Sequence, residues 1–331
     1  MILIGRGKYR HLGRWPRGPQ RAIALVAVLV LSLAACSRSS GGAASDGTIS
    51  VVASFYPVHE AVQRIGGDRV RATNLTPAGA EPHDLELTPR QVDQILDADV
   101  LFYMGGGFQP AAEESAQDRT NGITVDLLAS LAPHLRPGEE EEGHEEEGHE
   151  GESLPGGADP HVWLDPVLMA AIADQVGAAM ARADPAGASD YQRNAAAYGT
   201  ELEALHQEFE SGLRECDRRV IVTAHAAFGY LAARYGLTQE SIAGVSPEAE
   251  PDPKRLAELA DLVMREGITT IFTEKLVSPR VAETLAREAG VRTAVLNPLE
   301  GLTPEELAQG ENYASVMRQN LSTLRVALGC R

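Results

Sequence analysis

The chain has 331 residues, of which 44% are hydrophobic, and a formal net charge of -18. That length suits two domains of ordinary size, and that apolar content supports a core in each. The acidic balance excludes a nucleic-acid interface and argues against docking on anionic lipid through a basic patch.

The first 35 residues read as a leader. Arg6, Lys8, Arg10, Arg14, Arg17 and Arg21 precede an apolar run from Ala22 to Ala35 that is too short to span a membrane. The run ends in Leu33-Ala34-Ala35-Cys36, which resembles the bacterial lipobox, so Cys36 is expected to carry lipid at the new N-terminus. Residues 36–47, rich in Ser, Gly and Ala, suit a flexible tether.

Strand and helix signals then alternate. Thr48 to Phe55 reads as a buried strand, and Val58 to Ile65 as a helix ended by Gly66-Gly67. Val70 to Leu75 is a second strand and leads into a turn-rich loop in which His83 follows Pro82. Pro89 to Ile95 is helical, with Thr88 as its cap. Val100 to Met104 and Ile123 to Asp126 are further strands, and the alternation predicts a parallel sheet with helices on its faces. The run at 138–152 holds nine Glu together with His144 and His149. Nothing in it can build a core, so it is expected to be a disordered loop that holds metal weakly.

The stretch Asp159-Pro160-His161-Val162-Trp163-Leu164-Asp165-Pro166 follows. A histidine held between a proline and a bulky apolar triplet can point its ring in a fixed direction. Val167 to Ala183 and Tyr191 to Leu213 are helices, the second with Tyr198, Leu202, Leu205 and Phe209 at helical spacing. The second half repeats the pattern. Strands at Arg219 to Ala224, Ile268 to Thr273 and Val291 to Leu296 end at His225, Glu274 and Asn297-Pro298-Leu299-Glu300. Helices are expected at Pro253 to Glu266, Val281 to Glu288 and Tyr313 to Leu328. Ligands of open α/β sheets bind beyond the carboxyl ends of strands, which is where His225 and Glu300 stand. Cys216 and Cys330 remain after the leader, and in an oxidising extracytoplasmic compartment an even pair predicts one disulfide.

Taken together, Cys36, Glu81-Pro82-His83-Asp84, the acidic His run, Asp159 to Pro166, Val222-Thr223-Ala224-His225, Ser246 to Pro251 and Asn297 to Leu302 resemble a known family. It is that of the zinc- and manganese-binding solute-binding lipoproteins of bacterial ABC transporters, the ZnuA/TroA-like family. The resemblance covers the chain from Cys36 onward. It implies two Rossmann-like α/β domains joined by one long helix, with a single metal ion in the cleft between them. On this chain that gives an N-terminal domain at 48–185, a linking helix at 186–214 and a C-terminal domain at 215–331. His83 and His161 would come from the first domain and His225 from the second.

For the fourth ligand, many relatives carry an aspartate where this chain has Asn297, whose amide oxygen is a weaker donor. Glu300 is similar to the glutamate that some zinc-binding relatives use, and is the expected ligand. Water or Glu81 is the fallback, and Glu274 is a further competitor or a supporting carboxylate. Three imidazoles and a carboxylate suit Zn2+. The resemblance therefore implies a lipid-anchored, monomeric zinc receptor, not an enzyme, that serves a membrane permease and its ATPase. Manganese, or another divalent metal, is the alternative cargo. A metal-dependent hydrolase would need a placed general base, and no HExxH helix is present. An adhesin-like surface protein would need an exposed aromatic patch, for which 5% aromatic content offers little material.

Overall fold

The computed structural model describes residues 47–136, 157–248 and 252–331. The expected leader, Cys36, nearly all of the tether and the run at 138–152 with His144 and His149 lie outside the described residues. Residues 48–331 form one compact unit. It contains two parallel four-stranded sheets, so the architecture is α/β throughout.

The first sheet comprises β1 (Ile49–Ala53), β2 (Val70–Asn74), β3 (Val100–Tyr103) and β4 (Ile123–Asp126), in the order β2-β1-β3-β4. The second comprises β5 (Val220–Thr223), β6 (Thr238–Ser241), β7 (Thr270–Thr273) and β8 (Arg292–Val295), in the order β6-β5-β7-β8. The two orders match, so each half is a copy of the same plan.

Strands of a parallel sheet are buried on both faces, and alternate residues therefore feed different cores. Val51, Ala53, Val100 and Phe102 enter the main apolar cluster, which also holds Ile221 and Phe272 from the second sheet. Val52 and Leu101 face a smaller cluster with Leu75 and Ile95. Val222 and Ile271 face another, closed by Leu259, Val263 and Leu285 from the helices Pro253–Arg265 and Arg280–Ala289.

The helix Ala188–Gly212, 25 residues and so roughly 37 Å long, connects the halves. Its buried stripe, Tyr191, Ala195, Tyr198, Leu202, Leu205 and Phe209, belongs to the main cluster. That cluster includes Ile172 and Val176 of the helix Pro166–Ala183 and Tyr313 and Leu324 of the last helix, Tyr313–Leu328. The connecting helix is thus a spine packed along its length. No helix among the described residues is long and apolar enough to cross a membrane.

Some elements carry no apolar signal and become visible only in the fold. Strand β6 reads Thr-Gln-Glu-Ser and is held as an edge by its backbone register with β5, Val220 opposite Thr238 through Thr223 opposite Ser241. The helix Pro110–Gln117 buries only Ala112 and Ala116, too little for a periodic pattern. Where caps were legible they are present. Thr88 and Gln91 form a full capping box at Pro89–Asp97.

Cys216 and Cys330 are joined in a disulfide across a sequence separation of 114. Backbone bonds flank it, Arg218 N to Leu328 O at 3.1 Å and Arg331 N to Glu215 O at 3.0 Å. The chain end is therefore fastened just before β5, the strand that leads to His225. For a loop of this size the chain-entropy relation gives about 4 to 5 kcal/mol, an upper value that strain reduces. Reduction of the metal-free protein is expected to lower Tm by about 10 °C. Calorimetry with and without reductant, and non-reducing peptide maps showing the Cys216–Cys330 pair, check this.

Candidate metal centre

Each side chain of the centre is fixed by its own segment. His83 lies in the loop beyond β2. Thr76 Oγ1 donates to Ser54 O at 2.8 Å. The buried Gln109 amide donates to Thr76 Oγ1 at 3.1 Å and to Pro82 O at 3.3 Å, which pins the residue before His83. His83 N donates to Glu81 Oε1 at 3.1 Å, and the ring meets Phe108 edge-on with centroids 4.6 Å apart.

His161 precedes a short 3-10 turn, Val162–Leu164. Its backbone N donates to Asp159 Oδ1 at 2.9 Å, and Nδ1 lies 2.7 Å from the same oxygen. The half-turn Asp159-Pro160-His161 therefore folds back on itself and turns Nε2 inward. Asp165 caps the following helix through Val167 N and pairs with Arg234 of the second half at 2.6 Å.

His225 stands two residues beyond β5. Glu274, the first residue after β7, accepts from His225 N at 3.2 Å and lies 2.8 Å from its Nδ1 through Oε1. Because a carboxylate can only accept, Nδ1 of each ring donates to it, and a cation bound at the centre would find the Nε2 lone pairs once their protons are released.

Glu300 ends the turn beyond β8. Leu299 takes φ 59°, the left-handed region that a branched side chain rarely adopts. The turn is nevertheless fixed on several sides. Asn297 Oδ1 accepts from Leu299 N at 2.8 Å. Asn320 accepts from Asn297 N at 2.8 Å and donates to Asn297 O at 2.7 Å. Trp163 Nε1 donates to Pro298 O at 2.8 Å.

The result is a convergence on one atom. Glu300 Oε1 lies 3.3 Å from His83 Nε2, 3.2 Å from His161 Nε2 and 3.1 Å from His225 Nε2. His161 Nε2 and His225 Nε2 are 3.3 Å apart. All four ligand atoms lie within 4.8 Å of one another. A tetrahedral zinc shell with bonds of about 2.0–2.2 Å has edges of about 3.4 Å, so the closest of these separations suit one. Glu300 Oε2 is buried and has no hydrogen-bond partner, which leaves it free for a cation. The side chains of His161, His225 and Glu300 are fully buried and that of His83 is 9% exposed. A cavity lined by His83, Gly107, Phe108, Pro160 and Ser246 lies on that side.

The electrostatics fit a cation. Burial opposes a charged Glu300, but His225 first and the other imidazoles after it hold its carboxyl well below the usual range. Burial also opposes charge on His161 and His225. The carboxylates bonded to them, Asp159 with Glu300 and Glu274 with Glu300, outweigh it and raise both pKa values. His83 has only Glu300 against its burial, and its pKa is lowered. Burial and the nearby Glu300 push Glu81 up to about 8.

His83, His161, His225 and Glu300 thus lie together. Asn297 does not point to the centre, since its amide oxygen holds the turn. Glu274 lies behind His225. Glu81 holds the His83 backbone with one oxygen, while its Oε2 is buried without a partner. Asp159 was missed as a functional residue in the sequence reading. The signal was there, a carboxylate two residues before a histidine with proline between, but its meaning depends on the turn.

Residues 51–327 match the family model ZnuA, the zinc-uptake complex component A, periplasmic. The chain is 38% identical over 307 residues to the high-affinity zinc uptake system protein ZnuA of Bacillus subtilis, covering 92% of this chain and 96% of that one. It is 39% identical over 310 residues to the zinc-binding lipoprotein AdcA of Streptococcus pneumoniae, covering 92% of this chain but 60% of AdcA. The chain therefore spans about three-fifths of the AdcA relatives it matches. The crystal structure of Zn(II)-bound AdcA from S. pneumoniae superposes with TM-score 0.71 at 35% identity, covering 85% of this chain and 58% of that one. By sequence and by fold, the chain belongs to the ZnuA family of zinc-uptake components.

Proposed function

We propose that this protein is an extracytoplasmic zinc receptor that captures Zn2+ and delivers it to the permease of an ABC importer driven by its ATPase. It works as a monomer held to the membrane by lipid on Cys36. The observation that carries the reading is the convergence of three imidazole nitrogens, from both halves of the chain, on the single carboxylate Glu300. Such a nitrogen-rich set favours zinc over manganese, which prefers oxygen donors. The protein fills all four positions of a tetrahedral shell. A hydrolytic zinc needs an open position for water, so the arrangement supports a receptor over a hydrolase. The names of the relatives, a zinc-uptake protein and a zinc-binding lipoprotein, agree with this reading. The two halves, 48–185 and 215–331, act as lobes around the ion, with the helix between them as spine.

The direct test is metal titration of the metal-free mature protein against a chromophoric chelator. One tight zinc equivalent, and manganese bound far more weakly, is the expected result. Equal affinity for manganese would overturn the zinc assignment. Structural zinc sites are worth about 12 kcal/mol over four ligands, or about 3 kcal/mol each. Replacing His83, His161, His225 or Glu300 by Ala is thus expected to weaken zinc binding roughly 100-fold with the fold retained by circular dichroism. Near-parental affinity in one of these variants would remove that residue from the site.

His144 and His149 serve as an auxiliary collector. Deleting residues 138–152 is expected to lower the zinc stoichiometry in excess metal and leave the tightest constant unchanged. Loss of tight binding on deletion would make the run part of the primary site.

A further inference from the structure

Trp163 is completely buried and makes a pair of polar contacts that the ligand set does not account for. Its indole Nε1 donates to Pro298 O at 2.8 Å, and its backbone carbonyl accepts from Tyr313 OH at 2.6 Å. Trp163 stands two residues after His161, and Pro298 two residues before Glu300. One hydrogen bond therefore joins the segment that presents a ligand from the first half to the turn that presents a ligand from the second.

The turn needs that restraint. Leu299 holds the left-handed conformation at φ 59°, and such backbone persists only where its surroundings over-determine it. Just beyond the turn, Gly79 N of the first half donates to Leu302 O at 3.0 Å, while the bonds within the turn, from Asn297 and Asn320, come from the second half itself. They set the shape of the turn and cannot set its distance from His161. The Trp163 indole does. Its ring is in turn fixed by Phe55 at 4.6 Å and Phe108 at 5.3 Å, and Phe108 also meets His83. Tyr313, at the start of the last helix, continues the chain of bonds. Its backbone N donates at 2.8 Å to Glu60 Oε2, a buried carboxylate of the helix Tyr56–Gly66 in the first half.

We propose that Trp163 is a positioning residue of the metal centre, which sets the distance between His161 and Glu300 through its indole bond to Pro298 O. Glu60 and Tyr313 hold the Trp163 backbone and the last helix in register with the first half. The proposal deepens the zinc-receptor reading and rests on it. Zinc chelates tightly only when its ligand atoms are preplaced, and outer partners of metal ligands alter affinity about 10- to 100-fold.

The test is a double-mutant cycle on the mature protein with Trp163→Phe and Glu300→Ala, which keeps an aromatic ring in the core and removes the N–H. Zinc affinity is read by chelator competition and ligand geometry by the d–d spectrum of the Co2+ form. Trp163→Phe alone is expected to weaken zinc binding about tenfold and to change the intensity of the cobalt bands. In the Glu300→Ala background the same substitution is expected to change affinity less than twofold, because the carboxylate it places is gone. Parental affinity and cobalt spectrum in Trp163→Phe would overturn the proposal, and so would equal losses in both backgrounds, which mark a packing role alone. Should Trp163→Phe fail to fold, Tyr313→Phe, which removes the hydroxyl that holds Trp163 O, carries the same cycle and the same outcomes. A parental protein that binds neither zinc nor cobalt would instead defeat the receptor reading itself.

Discussion

Everything in this structure is arranged around one buried carboxylate oxygen. Glu300 Oε1 has His83, His161 and His225 within 3.1 to 3.3 Å, and its side chain is removed from water. A lone carboxylate in such a place would cost several kcal/mol and would take up a proton instead. The imidazoles keep it ionised, and a divalent cation among them would do so more strongly. The same oxygen cannot be approached by three rings unless segments from residues 83, 161, 225 and 300 are brought together, so the binding chemistry and the tertiary fold are a single constraint.

The fold meets that constraint by repetition. Two sheets with the same strand order carry their loops at the carboxyl ends of the strands, and β2, β5, β7 and β8 each end in a loop that supplies a candidate ligand or a carboxylate behind one. Asp159 and Glu274 play equivalent parts in the two halves. Each binds both the backbone N and the Nδ1 of its histidine, so a single carboxylate sets the ring's orientation and its tautomer. His83 has no such carboxylate on its ring. It leans on Phe108, stands on the cavity side and keeps a lowered pKa, so it is the imidazole most open to exchange with solvent.

Several polar ties between the halves lie close to the candidate ligands. Arg234 reaches Asp165, Tyr230 OH donates to Asp159 O at 3.0 Å, and Trp163 holds Pro298. At Gly229 an added Cβ would come within 2.8 Å of Asp159 Oδ2, so the second half approaches the His161 turn as closely as a backbone can. Below them the apolar cluster continues without a break from Val51 to Leu328 along the spine helix. Continuous packing below and a small set of directed bonds above make the site well ordered, because cores are close-packed and resist deformation while the directed bonds fix angles.

The sequence by itself determined the α/β class, most strands and helices, the spine helix, the pairing of Cys216 with Cys330, and the residue types that gather at the site. It could do so because strand alternation, helical periodicity, caps and proline-flanked histidines are local patterns that act through the nearest few residues. It was silent on β6, whose Thr-Gln-Glu-Ser has no apolar face and is held by backbone pairing to β5, the strand before it. For the fourth ligand the resemblance favoured Glu300, but the local pattern could not separate it from Asn297, Glu274 and Glu81, all of which are oxygen donors at loop positions. In the tertiary structure the left-handed turn at Leu299 spends the Asn297 amide on its own backbone and turns Glu300 inward, and Glu274 stands behind His225. Orientation of a side chain two residues beyond a strand depends on what packs against it from the other half of the molecule, and only the tertiary structure brings that half into place.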